Sequence, residues 1–145
     1  MVIAVDFDGT IVKHRYPKIG EEIPFAIDTL KLLIEDHHRV ILWTVREGEL
    51  LREAVEWCRE RGVEFYAVNQ DFPEENGSLK GYSRKLKADL FVDDRNLGGI
   101  PDWGTIYTMI SRREHLKPPT IDYEPTSAPR KLTLKERLQG WSEKI

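Results

Sequence analysis

The stretch VIAVDFDGT, residues 2–10, decides how the rest of the chain is read. Its four apolar residues run directly into a polar turn. A short, unbroken run rich in Val and Ile fits a strand buried on both faces of a parallel sheet. The pattern returns as VILW (40–43), EFYAV (64–68) and DLFV (89–92). Between these runs, PFAIDTLKLLIEDH (24–37) and EGELLREAVEWCRERG (47–62) carry apolar residues at helical spacing, and DWGTIYTMISRREH (102–115) follows the last run. Pro24 falls where a first-turn proline belongs, and Gly62 where a helix-ending glycine belongs. This alternation predicts an open α/β sheet with right-handed crossovers.

In such sheets ligands bind beyond the carboxyl ends of the strands. The first run ends on Asp6-Phe7-Asp8-Gly9-Thr10 and the second on Thr44-Val45-Arg46. The third ends on Asn69-Gln70-Asp71 and the fourth on Asp93-Asp94-Arg95-Asn96. Polar residues therefore collect at one edge of the sheet each time.

Two pairs of carboxylates brought together in a partly dry cleft repel one another unless a cation offsets them. Oxygen ligands suit a hard divalent ion, and Mg²⁺, which keeps waters and takes few carboxylates, suits this set. Within Asp-x-Asp-Gly-Thr, Asp6 at the strand end can act as a nucleophile and form an aspartyl-phosphate. Asp8, two residues on, can face the same side and exchange a proton with the leaving alkoxide and then with water. Gly9 permits the sharp exit that this arrangement needs. Thr44 and a lysine would donate to the phosphoryl oxygens. Arg46 is a candidate grip for a substrate phosphate or for a distal acid, against a surface ion pair. Asn69 is a candidate substrate contact, against a turn-forming role.

VIAVDFDGT, then ILWT, then a lysine ahead of LFVDD, in that order, resembles the haloacid dehalogenase superfamily, and its phosphatase branch in particular. The resemblance covers residues 1–115. It implies a Rossmann-like open parallel sheet with helices on both faces, and Mg²⁺-dependent hydrolysis of phosphomonoesters. It also implies Asp6 as nucleophile, Asp8 as general acid and base, Thr44 as phosphate ligand, and Lys85 fixing the nucleophile and the phosphate. By the same resemblance Asp93 and Asp94 hold Mg²⁺ together with Asp6 and the Asp8 carbonyl. Lys80 and Lys87 also precede the fourth run; Lys85 is preferred for its place in KLKADLFVDD, with Lys87 next. Only KHRYPKIGEE (13–22) separates the first motif from the first helix, and QDFPEENGSLKGYSR (70–84) is also too short for a folded cap. The expected cleft is open. It admits a phosphorylated macromolecular end, or a nucleotide or sugar phosphate closed over by a neighbouring subunit.

Composition bounds the partners. The 145 residues carry a net charge of -3, which argues against a generic nucleic-acid surface. No stretch reaches the roughly 20 apolar residues of a membrane span, and the N-terminus has no basic region ahead of its apolar run, so the expectation is a cytoplasmic protein. The single cysteine, Cys58, excludes an internal disulfide and reads as core. His37 and His38 read as structural residues at a helix end. Residues 112–145 hold eight Lys/Arg against five Asp/Glu, and four of the eight prolines. This divides the chain into a hydrolase-like core over 1–115 and, over 116–145, a Pro-rich linker with a short amphipathic helix beginning at Thr133. Two other readings stay open. One is a receiver-like phospho-acceptor, although the acidic pair then comes at the wrong strand. The other is a non-catalytic interaction module worked by the tail.

Overall fold

The four apolar runs become four parallel strands, β1 (Val2–Val5), β2 (Arg39–Leu42), β3 (Ala67–Val68) and β4 (Leu90–Val92). The helical patterns become α1 (Ala26–Glu35), α2 (Gly48–Arg59) and α3 (Trp103–Ser111). These come from a computed structural model that describes residues 1–75 and 84–113. The strand order is β3-β2-β1-β4, an α/β Rossmann-like sheet. The described residues all belong to one compact unit, Met1–Glu114. The linker and helix expected over 116–145, and Lys80, lie outside the described residues.

Strand side chains alternate between two buried layers. Ile3, Val5, Val40 and Leu42 pack with Leu30 and Leu33 of α1, Ala54 and Cys58 of α2, and Trp103, Ile106 and Ile110 of α3. Ala4, Ile41 and Ala67, pointing the other way, pack with Leu86, flanked by Trp43, Tyr66 and Phe91. Both faces are covered, which is why the strand sequences show no alternation with polar residues. No helix among the described residues is long and apolar enough to cross a membrane.

The element ends differ from the sequence reading where local conformation overrides periodicity. Phe25 adopts a left-handed conformation (φ 66°), so α1 starts at Ala26 and Pro24 precedes the helix instead of occupying its first turn. Of residues 64–68 only Ala67 and Val68 pair as a strand, while Phe65 packs against the helical layer. Gly62 does end α2. At φ 83° its N–H donates to the Arg59 carbonyl (2.9 Å) and that of Val63 to the Cys58 carbonyl (3.0 Å), the paired bonds of a Schellman motif. The Asp102 carboxylate caps α3 by accepting from the Thr105 N–H at 3.0 Å. His38 meets the N-terminal amine through Nδ1 at 3.2 Å, a structural contact.

Cys58 is fully buried, and burial pushes its thiol up to about 12. Since the thiolate is the reactive form, a disulfide reagent at pH 8 should label it only as fast as the protein opens. Stopped-flow labelling of the folded protein at the rate of a free thiol would contradict this burial.

Candidate active site

β1 lies in the middle of the sheet, and the chain leaves it in two directions. It moves out to β2 and β3 on one side and returns to β4 on the other. The gap between β1 and β4 is a topological switch point, where the loops diverge and leave a crevice. The strands end in step, with Val5 opposite both Leu42 and Val92. The Asp6 N–H extends one ladder to the Val92 carbonyl (3.0 Å), and the Trp43 N–H extends the other to the Val5 carbonyl (2.8 Å). Asp6 therefore emerges between the β2 loop that carries Thr44 and the β4 loop that carries Asp93 and Asp94.

The turn after Asp6 is shaped around Asp94. Gly9 sits at φ 94°, and a Cβ there would overlap the Asp94 carboxylate, so only glycine fits on both counts. Thr10 is wholly buried; its hydroxyl oxygen accepts from the Asp94 N–H at 3.0 Å. The indole of buried Trp103 donates to the Thr10 carbonyl at 3.0 Å, locking the turn onto α3. Asp93 folds its carboxylate back to accept from the Arg95 N–H at 2.8 Å.

Carboxylate oxygens of Asp6, Asp93 and Asp94 lie within 4.8 Å of one another. Asp94 Oδ1 is buried without a hydrogen-bond partner among the described residues, an arrangement normally costly to a fold. Burial raises the Asp6 carboxyl to about 7, with the charges of Asp93, Asp94 and Asp8 adding to it and a hydrogen bond from the Phe7 backbone opposing it. Three carboxylates in one place, one of them with an orphaned oxygen, and a surplus of negative charge fit a hard divalent cation.

The linkage has a definite sign. With its folded value near 7 and its unfolded value near 4, Asp6 makes the fold bind more protons than the unfolded chain between these limits. Its contribution to stability therefore falls as pH rises through that window. Cation binding needs the ionised form, so it should release about one proton per ion at pH 6 and tighten about tenfold per pH unit up to neutrality. Titration calorimetry in buffers of different ionisation heat reads this directly. An affinity unchanged from pH 5 to 8 would refute it.

The sequence placed Arg46 near a substrate phosphate or a distal acid; the structure puts it on an acid of the site itself. Its Nε donates to Asp8 Oδ2 at 2.6 Å and its Nη2 to Oδ1 at 2.8 Å, a bidentate pair with Arg46 1% exposed and Asp8 6%. Two further donors go to the carbonyls of Pro17 and Lys18, both at 3.0 Å, and the guanidinium stacks on the rings of Phe7 and Tyr16. Buried and paired in this way, Arg46 is not a surface ion pair. The Asp8 carboxylate stands on Arg46, outside the three-carboxylate cluster.

Asp6, Asp8, Thr44 and Asp93 line a single cavity of about 330 Å³. Asn69 supports this wall without lining it. It takes the left-handed turn conformation (φ 54°), and its side-chain oxygen accepts from the Thr44 N–H at 2.8 Å. Thr44 Oγ1 in turn accepts from the Arg46 N–H at 3.3 Å. Lys85 is exposed and does not line this cavity; the Lys87 N–H bonds the Asp71 carboxylate at 2.6 Å. Sequence reasoning gave no site role to the remaining wall residues, His14, Tyr16, Trp43, Val45 and Arg95. Trp43, Val45 and Arg95 do follow strand ends, which was signal enough to include them. His14 and Tyr16 sit in the flap 13–22, where no periodicity tells which side chains turn inward.

No protein-family model and no curated protein matches the chain. Among solved structures it is similar to a conserved protein from Bacteroides thetaiotaomicron, at 72% identity and a TM-score of 0.74. The match covers 78% of this chain and 91% of that one. At that identity and coverage, this chain belongs to the same family as the conserved Bacteroides protein.

Proposed function

We propose that the protein is a Mg²⁺-dependent phosphomonoesterase of the haloacid dehalogenase type, working through an aspartyl-phosphate on Asp6. One observation carries the reading: Asp6 and Asp93, which form a carboxylate cluster with Asp94, line the same cavity as Thr44 and Asp8. Asp6 attacks phosphorus as the ester P–O bond breaks, and the departing oxygen takes a proton from Asp8. Water then attacks the same phosphorus and gives a proton to Asp8. The bond from phosphorus to the Asp6 oxygen breaks, releasing orthophosphate and restoring both carboxyl groups.

Thr44 accepts from the Arg46 N–H, which leaves its own O–H to donate to a phosphoryl oxygen. Arg95, on the cavity wall, offers positive charge beside Asp93. Lys85 enters this scheme through the resemblance, as the cation that joins nucleophile and phosphate. Mg²⁺ held by Asp6, Asp93 and Asp94 would offset their charge and that of the phosphoryl group. The partner on this reading is a phosphorylated small molecule or macromolecular end, met in the cytoplasm.

Phosphate release from nucleotides, sugar phosphates, phosphopeptides and phosphorylated nucleic-acid ends is the test. Activity on at least one class should vanish with a chelator and return with Mg²⁺. Release unaffected by chelation contradicts the reading, and a persistent phosphoprotein without turnover favours the phospho-acceptor instead.

A further inference from the structure

We propose that Arg46 is a positioning residue that ties recognition of the leaving group to the placement of Asp8, an inference that rests on the phosphatase reading. One buried guanidinium serves two parts of the site at once. It holds both oxygens of Asp8 and also the carbonyls of Pro17 and Lys18, at the tip of the flap 13–22. The flap closes on itself at its base, where the Lys13 N–H donates to the Glu21 carbonyl (2.7 Å) and Lys13 Nζ pairs with the Glu21 carboxylate (2.6 Å). Its residues 13–18 are otherwise exposed.

Two of these exposed residues, His14 and Tyr16, form the cavity wall beside Asp6 and Asp8, where the organic part of an ester has to lie. The Tyr16 ring also covers the guanidinium, 5.4 Å from it. A flap displaced by an ill-fitting group therefore pulls on the atoms that orient the acid. A group that fits leaves the array of flap, guanidinium and carboxylate intact. Lysine cannot reproduce this, because a point charge does not span four acceptors in one plane.

The experiment compares p-nitrophenyl phosphate, whose leaving group departs without a proton, with 2-phenylethyl phosphate, whose alkoxide needs one. Arg46→Lys should lose about 100-fold in kcat/KM, which reports the step that expels the leaving group, on the alkyl ester and less than about 5-fold on the nitrophenyl ester, the range expected when proton transfer to the leaving group is impaired. Guanidinium ion, at concentrations that do not denature, should restore the alkyl ester preferentially in Arg46→Ala. Equal losses on both esters, in a variant that keeps the wild-type circular dichroism spectrum, overturn the proposal.

Should neither Arg46 variant fold, Tyr16→Ala decides. This half-exposed ring can be cut back without opening the core. A loss selective for the alkyl ester supports the coupling, and an unselective one overturns it. A wild-type protein inactive on both esters with Mg²⁺ takes down the phosphatase reading and this proposal together. Wild-type turnover combined with unselective variants takes down only the proposal.

Discussion

Asp6→Asn should turn over no phosphoester, a loss of at least about 10⁴-fold in kcat, because the amide cannot attack phosphorus. The fold should survive, and with metal absent at pH 8 it should melt no lower than the wild type. The wild-type carboxylate is half-buried and faces Asp93, Asp94 and Asp8, and its ionisation opposes folding above neutrality. Removing that charge relieves the cluster. Added Mg²⁺ should then raise the melting temperature of the wild type more than that of the variant, since only the wild type offers all three carboxylates. Phosphate release and thermal melts, each with and without Mg²⁺, check both halves. Activity that persists in Asp6→Asn sinks the mechanism. A large loss of stability without metal would instead show Asp6 to be structural.

Arg46→Leu should be the most damaging single change to stability among the site residues, at about 3–5 kcal/mol. The leucine fills part of the volume but leaves the Asp8 carboxylate, 6% exposed, without its cation, and the carbonyls of Pro17 and Lys18 without a donor. Breaking a buried pair on one side costs more than replacing it whole, because the charge left behind is neither solvated nor paired. Asp8→Leu combined with Arg46→Leu should therefore recover much of the loss. Denaturant melts of the two single variants and the double variant give the coupling directly. An Arg46→Leu variant within about 1 kcal/mol of wild type would mean that the pair is far more hydrated than its burial indicates.

These two expectations differ in how much of them was legible in the chain. Asp6, Asp8, Thr44, Asp93 and Asp94 could be picked out because each lies within three residues of the end of an apolar run, and parallel strands buried on both faces must be apolar and must end where the polar loops begin. Helix α2 was legible from its periodicity and from Gly62, since a left-handed helix end favours glycine, although α1 and α3 end on left-handed His37 and Arg113. The start of α1 was not, because the left-handed Phe25 follows no local rule. Arg46 was visible as a residue near a strand end, but not as the partner of Asp8, 38 residues away. Asn69 was visible as a turn former, while its bond to Thr44 was not.

The pattern of residues alone thus establishes the order of the secondary elements and the polar residues gathered at their ends, because both depend on neighbours a few positions apart. Strand order belongs to the tertiary structure. By placing β4 beside β1, it seats Asp94 on Thr10 across 84 residues and brings three carboxylates to one point. It also turns Arg46 inward, from an exposed candidate for substrate binding to the buried clamp of Asp8 and the flap. Such pairings are chosen by which surfaces bury together and which charges are left to be paired, and spacing along the chain does not encode that competition.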